Sequence, residues 1–278
     1  MPERVVRSSI HQDLIAYSRR QNFSQLVGTG YDMDDGLRIT LPPKHPFWTT
    51  LYDDRPIVDA RRQLIFFSLP KVGCTETRRL LKALKGVLEE KPTEAQLHHP
   101  HFNNLTFLYH YPREEAIAML HNDSWIKATF VRDPAERLLS AYMNKFVDPQ
   151  FHYSKHLFGR NDTMKFEELI CMMERGNWEN HWMPQSYFTR FEATAPWFHF
   201  LGSFQHFYDD MHVLFRTIGE EALFLRVLSK YKSHNAFGGS TFCKYYNKID
   251  VYERVQKLYA RDYRIYSLPK HPYPCSSR

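Results

Sequence analysis

The chain has 278 residues, 43% of them hydrophobic and 15% aromatic, which is enough to build one substantial core. Its 37 Lys and Arg outnumber its 31 Asp and Glu, and the resulting formal charge of +6 suits anionic partners. The sequence shows no repeat, no low-complexity tract, no apolar run of membrane-spanning length and no interleaved basic–aromatic pattern. These absences argue against a solenoid, a membrane span in this chain and the common nucleic-acid modules.

Residues 1–55 are polar and punctuated by Pro42, Pro43 and Pro46, and read as an N-terminal extension packing on or near the core. Their first residues, M-P-E-R-V-V-R-S-S-I-H-Q-D-L, lack the apolar stretch of a signal peptide. Residues 56–278 read as one domain. Leu64–Leu69 is a short apolar run expected to be a buried strand, and Glu76–Leu88 is expected to be a helix. Between them stands Pro70-Lys71-Val72-Gly73-Cys74-Thr75. A strand, a glycine-containing turn and a helix start make an anion site, because the turn and helix end aim N–H groups at the ligand and Lys71 adds a full charge. The loop is not a Walker A sequence, since Lys71 precedes its only glycine, which disfavours a P-loop kinase. A solvated lysine in a strand-to-helix turn is the alternative.

His98–Asn104 reads as a loop and Arg113–Leu120 as a helix. Ile126–Val131 is a second buried strand. Asp133-Pro134 then signals a helix start, with Asp as N-cap and Pro in the first turn, for a helix Pro134–Lys145. Leu138, Leu139, Tyr142 and Phe146 recur at helical spacing as its buried stripe. Arg132 at the strand end and Ser140 two turns into the helix suit a terminal phosphate, since a guanidinium binds two oxygens at once. The alternative pairs Arg132 with Asp133 or Glu136. A polar, aromatic-rich loop follows at Phe151–Asp162, then helices at Lys165–Arg175, Phe207–Ile218 and Val251–Tyr263. Strand–helix alternation implies an α/β fold: a central parallel sheet flanked by helices, with ligands beyond the strands' C-terminal ends.

Taken together, these motifs resemble the Golgi-type carbohydrate sulfotransferases, including the chondroitin and dermatan 4-O-sulfotransferases. Pro70–Thr75 is similar to their 5′-phosphosulfate loop. Phe130-Val131-Arg132-Asp133-Pro134, continuing through Glu136-Arg137-Leu138-Leu139-Ser140-Ala141-Tyr142, is similar to their 3′-phosphate motif. His181-Trp182-Met183-Pro184-Gln185 and Leu201-Gly202-Ser203-Phe204 are weaker echoes, and the closing Tyr259–Leu268 run resembles the family's C-terminus, so the resemblance runs over roughly residues 60–268. The chain departs from the pattern at Glu76-Thr77, at Gln205 and at Tyr187-Phe188, which bears on the acceptor rather than the donor.

The resemblance implies a P-loop-like sulfotransferase fold and sulfuryl transfer from 3′-phosphoadenosine 5′-phosphosulfate (PAPS) to an acceptor hydroxyl. Lys71 would stabilise the leaving phosphate. Val72, Gly73, Cys74 and Thr75 would hold the 5′-phosphate, and Arg132 and Ser140 the 3′-phosphate, with Arg78 as a helper. No metal is called for, since lysine and backbone dipoles supply the electrostatics. A histidine would serve as base, and His181 is the first choice and His110 the second among 15 histidines. His98, His99 and His101 lack the carboxylate or cysteine of a metal site and read as a solvated loop. Glu76 reads as a first-turn acid complementing the helix dipole, and Trp182, Tyr187 and Phe188 as core aromatics. The expected partner is an acidic or neutral glycan, with a small hydroxylated metabolite as the alternative acceptor and a non-catalytic glycan-binding protein as the other class.

Four widely spaced cysteines exclude a dense disulfide framework and the common zinc patterns, and leave Cys74 as a free thiol in the loop. Glycosylation sequons begin at Asn22, Asn104, Asn122 and Asn161, which favours a glycoprotein. The compartment is the Golgi lumen or secretory pathway if the chain is a piece of an anchored enzyme, and the cytoplasm otherwise.

Overall fold

The computed structural model describes residues 56–86, 94–98, 103–149, 153–154, 159, 161–189, 197–230, 239–269 and 273–275. The extension expected at 1–55 lies outside the described residues, as does most of the loop expected at Phe151–Asp162. The described residues of 44–131 and 188–233 group into one compact unit, and those of 132–187 and 234–278 into a second.

The first unit is built on a sheet. Its strands are β1 (Ile57–Asp59), β2 (Leu64–Phe67), β3 (Thr106–Phe107), β4 (Ile126–Val131) and β5 (Phe200–Ser203), in the order β3-β1-β2-β4-β5. β2, β4 and β5 run parallel, as the strand–helix alternation implies. All four residues of β2 are buried, the pattern of a strand covered on both faces. The sheet as a whole is mixed rather than parallel, because β1 pairs antiparallel with both β2 and β3. β1 and β2 form a hairpin through Ala60–Gln63. Its turn holds none of the usual Gly, Asn or Pro signals, and Gln63 itself takes φ +51°.

One sheet face carries Ile57, Leu64, Phe66, Ala128, Phe130 and Phe200. It is covered by Leu80, Leu81 and Leu84 of α1 (Cys74–Leu84), Met211 and Leu214 of α7 (Phe207–Thr217), and Phe224 and Val227 of α8 (Glu221–Lys230). Two shorter elements, α2 (Glu94–His98) and α3 (Arg113–His121), complete the unit. Gly202 is fixed by packing, since a Cβ there would stand 2.4 Å from the Phe130 ring.

The second unit is helical. α4 (Pro134–Tyr142) begins as expected: Asp133 is the N-cap, its Oδ1 accepting the Glu136 N–H at 2.9 Å, and Pro134 opens the first turn. The expected stripe of Leu138, Leu139, Tyr142 and Phe146 is buried. The helix does not run on as α-helix to Lys145. It widens into a π-helical turn, Met143–Val147, through which Phe146 keeps its ring 5.7 Å from that of Tyr142. α5 (Phe166–Glu174) and α9 (Gly239–Tyr245) belong to the same unit, and the short α6 (Gln185–Thr189) begins in it. The helix expected over Val251–Tyr263 breaks at Tyr259 into α10 (Ile249–Leu258) and α11 (Ala260–Ile265). At the break, Tyr259 is fully buried and donates its hydroxyl to the Trp182 carbonyl. A Cys243–Cys275 disulfide, for which the sequence spacing gives no signal, ties α9 to the segment after α11.

Candidate functional site

The anion loop lies at the C-terminal end of β2. Lys71 adopts φ +63° and Gly73 φ +73°, and Gly73 is the N-cap of α1. Two left-handed residues within three positions turn the chain sharply enough to start α1 at Cys74, seven residues after Phe67 closes β2, with buried Val72 tucked in by its N–H to the Leu69 carbonyl (3.4 Å). A left-handed lysine costs about 1–2 kcal/mol, the kind of strain that folds retain at working sites. At Gly73 a Cβ would stand 2.8 Å from the Phe207 ring and 3.2 Å from that of Phe204. The Leu201–Phe204 segment therefore buttresses the loop, which accounts for two separate sequence motifs by a single contact.

Behind the loop, the Thr75 hydroxyl oxygen lies 3.1 Å from His98 Nε2. Arg78, one turn further along α1, is fully buried. Its Nη1 donates to the carbonyls of Leu97 (3.4 Å) and His98 (3.3 Å). Its Nε and Nη2 have no partner among the described residues. Cys74 is a free, half-buried thiol. Glu76 is ion-paired with Arg79, in keeping with its reading as a first-turn acid.

β3 is antiparallel to β1, and so is β2, so β3 points the same way as β2. The turn Leu108–His110 thus leaves the same rim as the Lys71 loop, about 10 Å to the side at two strand spacings. His110 is exposed, and its Nδ1 accepts the Phe107 N–H at 3.3 Å.

In the second unit, Arg132 is buried and held through its backbone. The Gln185 side chain accepts the Arg132 N–H at 2.9 Å and donates to the Arg132 carbonyl at 2.9 Å. Gln185 is held in turn by fully buried Asp262, which accepts the N–H groups of Gln185 (2.7 Å) and Ser186 (2.9 Å). Burial raises the Asp262 carboxyl pKa, against these hydrogen bonds. Burial likewise lowers the Arg132 guanidinium from its usual range, with Glu136 opposing. Arg132 Nε donates to Glu136 at 3.4 Å. Glu136 and Ser140, four residues apart, share one face of α4, along which Glu136 is exposed and Ser140 half-exposed.

The His-Trp segment is anchored by Arg137, whose Nη1 donates to the Met183 carbonyl (2.7 Å) and Nη2 to that of Asn180 (3.2 Å). Trp182 is core, as expected. His181 Nδ1 lies 2.9 Å from the Glu179 carboxylate, and its ring meets Tyr153 edge-on. Burial pushes the Glu179 carboxyl up, but hydrogen bonds and charge from His181, with Lys145, outweigh it and leave the pKa below the usual range.

The first unit thus holds Lys71, Val72, Gly73, Cys74, Thr75, Arg78 and His110, and the second holds Arg132, Ser140 and His181. Glu179, Asp262 and the anchoring roles of Arg137 and Gln185 escape sequence reasoning, and His98, read there as part of a solvated loop, closes α2 beside Thr75. Glu179 two residues before His181 was a usable signal, whereas Asp262 had none. His99 and His101 lie outside the described residues. Among the described residues, no cluster of His, Cys, Asp or Glu is arranged to hold a metal, and no helix is long and apolar enough to cross a membrane.

Known proteins bear on these motifs. The chain is 31% identical over 167 residues to human carbohydrate sulfotransferase 14, covering 54% of this chain and 42% of that protein. It is 26% identical over 244 residues to rat carbohydrate sulfotransferase 11, covering 77% of this chain and 68% of that protein. It is 36% identical over 108 residues to Xenopus laevis carbohydrate sulfotransferase 10, covering 37% and 30%. The match therefore spans less than half the length of the type 14 relatives. No solved structure gives a significant match. Residues 54–269, containing both anion motifs and the His-Trp segment, match the sulfotransferase family model, and the chain belongs to that family.

Proposed function

We propose that the chain transfers a sulfuryl group from PAPS to a hydroxyl of a carbohydrate acceptor. The observation that carries this reading is the left-handed turn at Lys71 and Gly73, which opens α1 beside a buried arginine with two unsatisfied N–H-bearing nitrogens. Such a cradle fits a dianionic phosphosulfate. The second motif, with its backbone-clamped Arg132, fits the 3′-phosphate.

When bound, PAPS supplies the activated sulfuryl group. Lys71 stabilises negative charge on the departing phosphate oxygen. The first-turn amides of α1 and the Thr75 hydroxyl hold the 5′-phosphate, with Val72 to Cys74 shaping the turn and Arg78 supporting it. Arg132 and Ser140 hold the 3′-phosphate. His181 takes the acceptor's proton. Glu179 accepts the Nδ1–H of His181, which leaves a lone pair on Nε2 for that task. His110 is the weaker candidate, because its Nδ1 accepts an amide N–H and its proton then sits on Nε2. The names of the relatives support a carbohydrate acceptor. The disulfide and the exposed sequon residues Asn104, Asn122 and Asn161 support a secretory-pathway compartment.

The test is transfer of labelled sulfate from PAPS to acidic glycans, neutral glycans and small hydroxylated compounds. Lys71→Ala and Arg132→Ala are each expected to lower kcat/KM by about 100-fold or more, with thermal melts showing a retained fold. Full activity in both variants overturns the mechanism. Transfer only to small compounds overturns the carbohydrate assignment. Nucleotide binding without transfer to any acceptor points to a non-catalytic protein.

A further inference from the structure

His98 stands outside the roles assigned so far, yet its ring reaches the anion loop. Its Nε2 is 3.1 Å from Thr75 Oγ1. Its placement is built rather than incidental. α2 ends at His98, where helix carbonyls lack intrahelical partners. The buried Arg78 Nη1 takes the carbonyls of both Leu97 and His98. Leu97 is itself fully buried. Thr75 and Arg78 are three residues apart and share a face of α1. One turn of α1 thus grips the end of α2 twice, once through the His98 ring and once through its backbone.

A threonine hydroxyl has one proton to give and two lone pairs. If Thr75 gave its proton to His98, it would turn a lone pair toward any anion in the loop, which is unfavourable. If His98 donates from Nε2, Thr75 keeps its proton for the anion. From this geometry, and resting on the donor-site reading above, we infer that His98 is a positioning residue for the 5′-phosphosulfate, donating to Thr75 Oγ1 so that the Thr75 O–H points at the donor. Its role in this assignment is to orient the Thr75 hydroxyl, not to take the acceptor's proton.

The experiment is calorimetric titration of the full chain with adenosine 3′,5′-bisphosphate, the desulfated donor, together with KM values for PAPS and for acceptor. His98→Ala and Thr75→Val are each expected to weaken nucleotide binding by about three- to tenfold, the worth of one hydrogen bond. The double variant is expected to bind no worse than Thr75→Val alone, since the two side chains act as one unit. His98→Gln, whose amide nitrogen can take the place of Nε2, is expected to bind within about twofold of the parent. The KM for PAPS rises in His98→Ala and that for acceptor does not. Unchanged binding in His98→Ala, additive losses in the double variant, or a fall confined to kcat overturns the assignment. If the parent chain fails to bind the bisphosphate, the donor site falls and this inference with it. Binding by the parent with His98→Ala unaffected removes the His98 role alone. Should His98→Ala unfold, the comparison of His98→Gln with Thr75→Val still decides.

Discussion

At the scale of single residues, two histidines differ in what their hydrogen bonds leave available. His181 faces a carboxylate through Nδ1, and His110 faces an amide N–H through the same atom. The first arrangement favours a proton on Nδ1 and puts the basic lone pair on Nε2, while the second places the proton on Nε2. The interaction that holds the Glu179 carboxyl low acts equally on its partner, favouring a protonated imidazole. A general base must be neutral, so Glu179→Gln should move the acid limb of the kcat profile to lower pH and also reduce kcat, as the imidazolium formed on proton transfer loses the carboxylate's charge. A pH–rate series on parent and variant checks this, and an unshifted limb assigns the proton elsewhere. The sign for stability follows from the same shift. With its folded pKa lowered, Glu179 contributes stability above the ordinary carboxylate range, and this is lost as the pH falls through the lowered value.

At the scale of elements, the glycine of β5 carries a sharp expectation. A Cβ at Gly202 would stand 2.4 Å from the ring of Phe130, its register partner on the neighbouring strand β4. Gly202→Ala should cost about 1–3 kcal/mol through overpacking. Adding Phe130→Leu should recover part of that loss, as read from denaturant midpoints, whereas independent, additive effects would remove the steric explanation. This contact also shows what was legible in the sequence. The start of α4 could be read at once, because Asp133 and Pro134 act on their own helix. The strand–turn–helix layout around Lys71 and Gly73 was legible for the same local reason. β1 and β3 were not, since strands of three and two residues carry no periodicity. The break at Tyr259, the clamp of Gln185 on Arg132 and the reach of His98 to Thr75 all depend on partners distant in the chain. Local pattern cannot supply such partners, so the motif residues were found and most of their supports were not.

At the scale of the whole molecule, the excess of basic residues and the covalent tie near the C-terminus matter most. Cys243–Cys275 closes a loop with a sequence separation of 32, and Tyr273 donates to the Tyr246 carbonyl beside it at 2.7 Å. Chain-entropy arguments put such a link at about 3–4 kcal/mol. Cys275→Ser should lower the melting midpoint under oxidising conditions, and reductant should shift the parent but not the variant. An unmoved midpoint would mean the link is dispensable. Asp262 has a further consequence, in the order in which the protein is made. Arg132 is synthesised after the strands β2 and β4, but the carboxylate that fixes Gln185, and through it the Arg132 peptide, follows only at Asp262. At ordinary elongation rates the interval is on the order of ten seconds. Through that time a nascent chain can pair β2 with β4 while the Arg132 peptide stays unclamped, so chains stalled before Asp262 would be folded in part and, on the donor-site reading proposed above, inert toward the nucleotide.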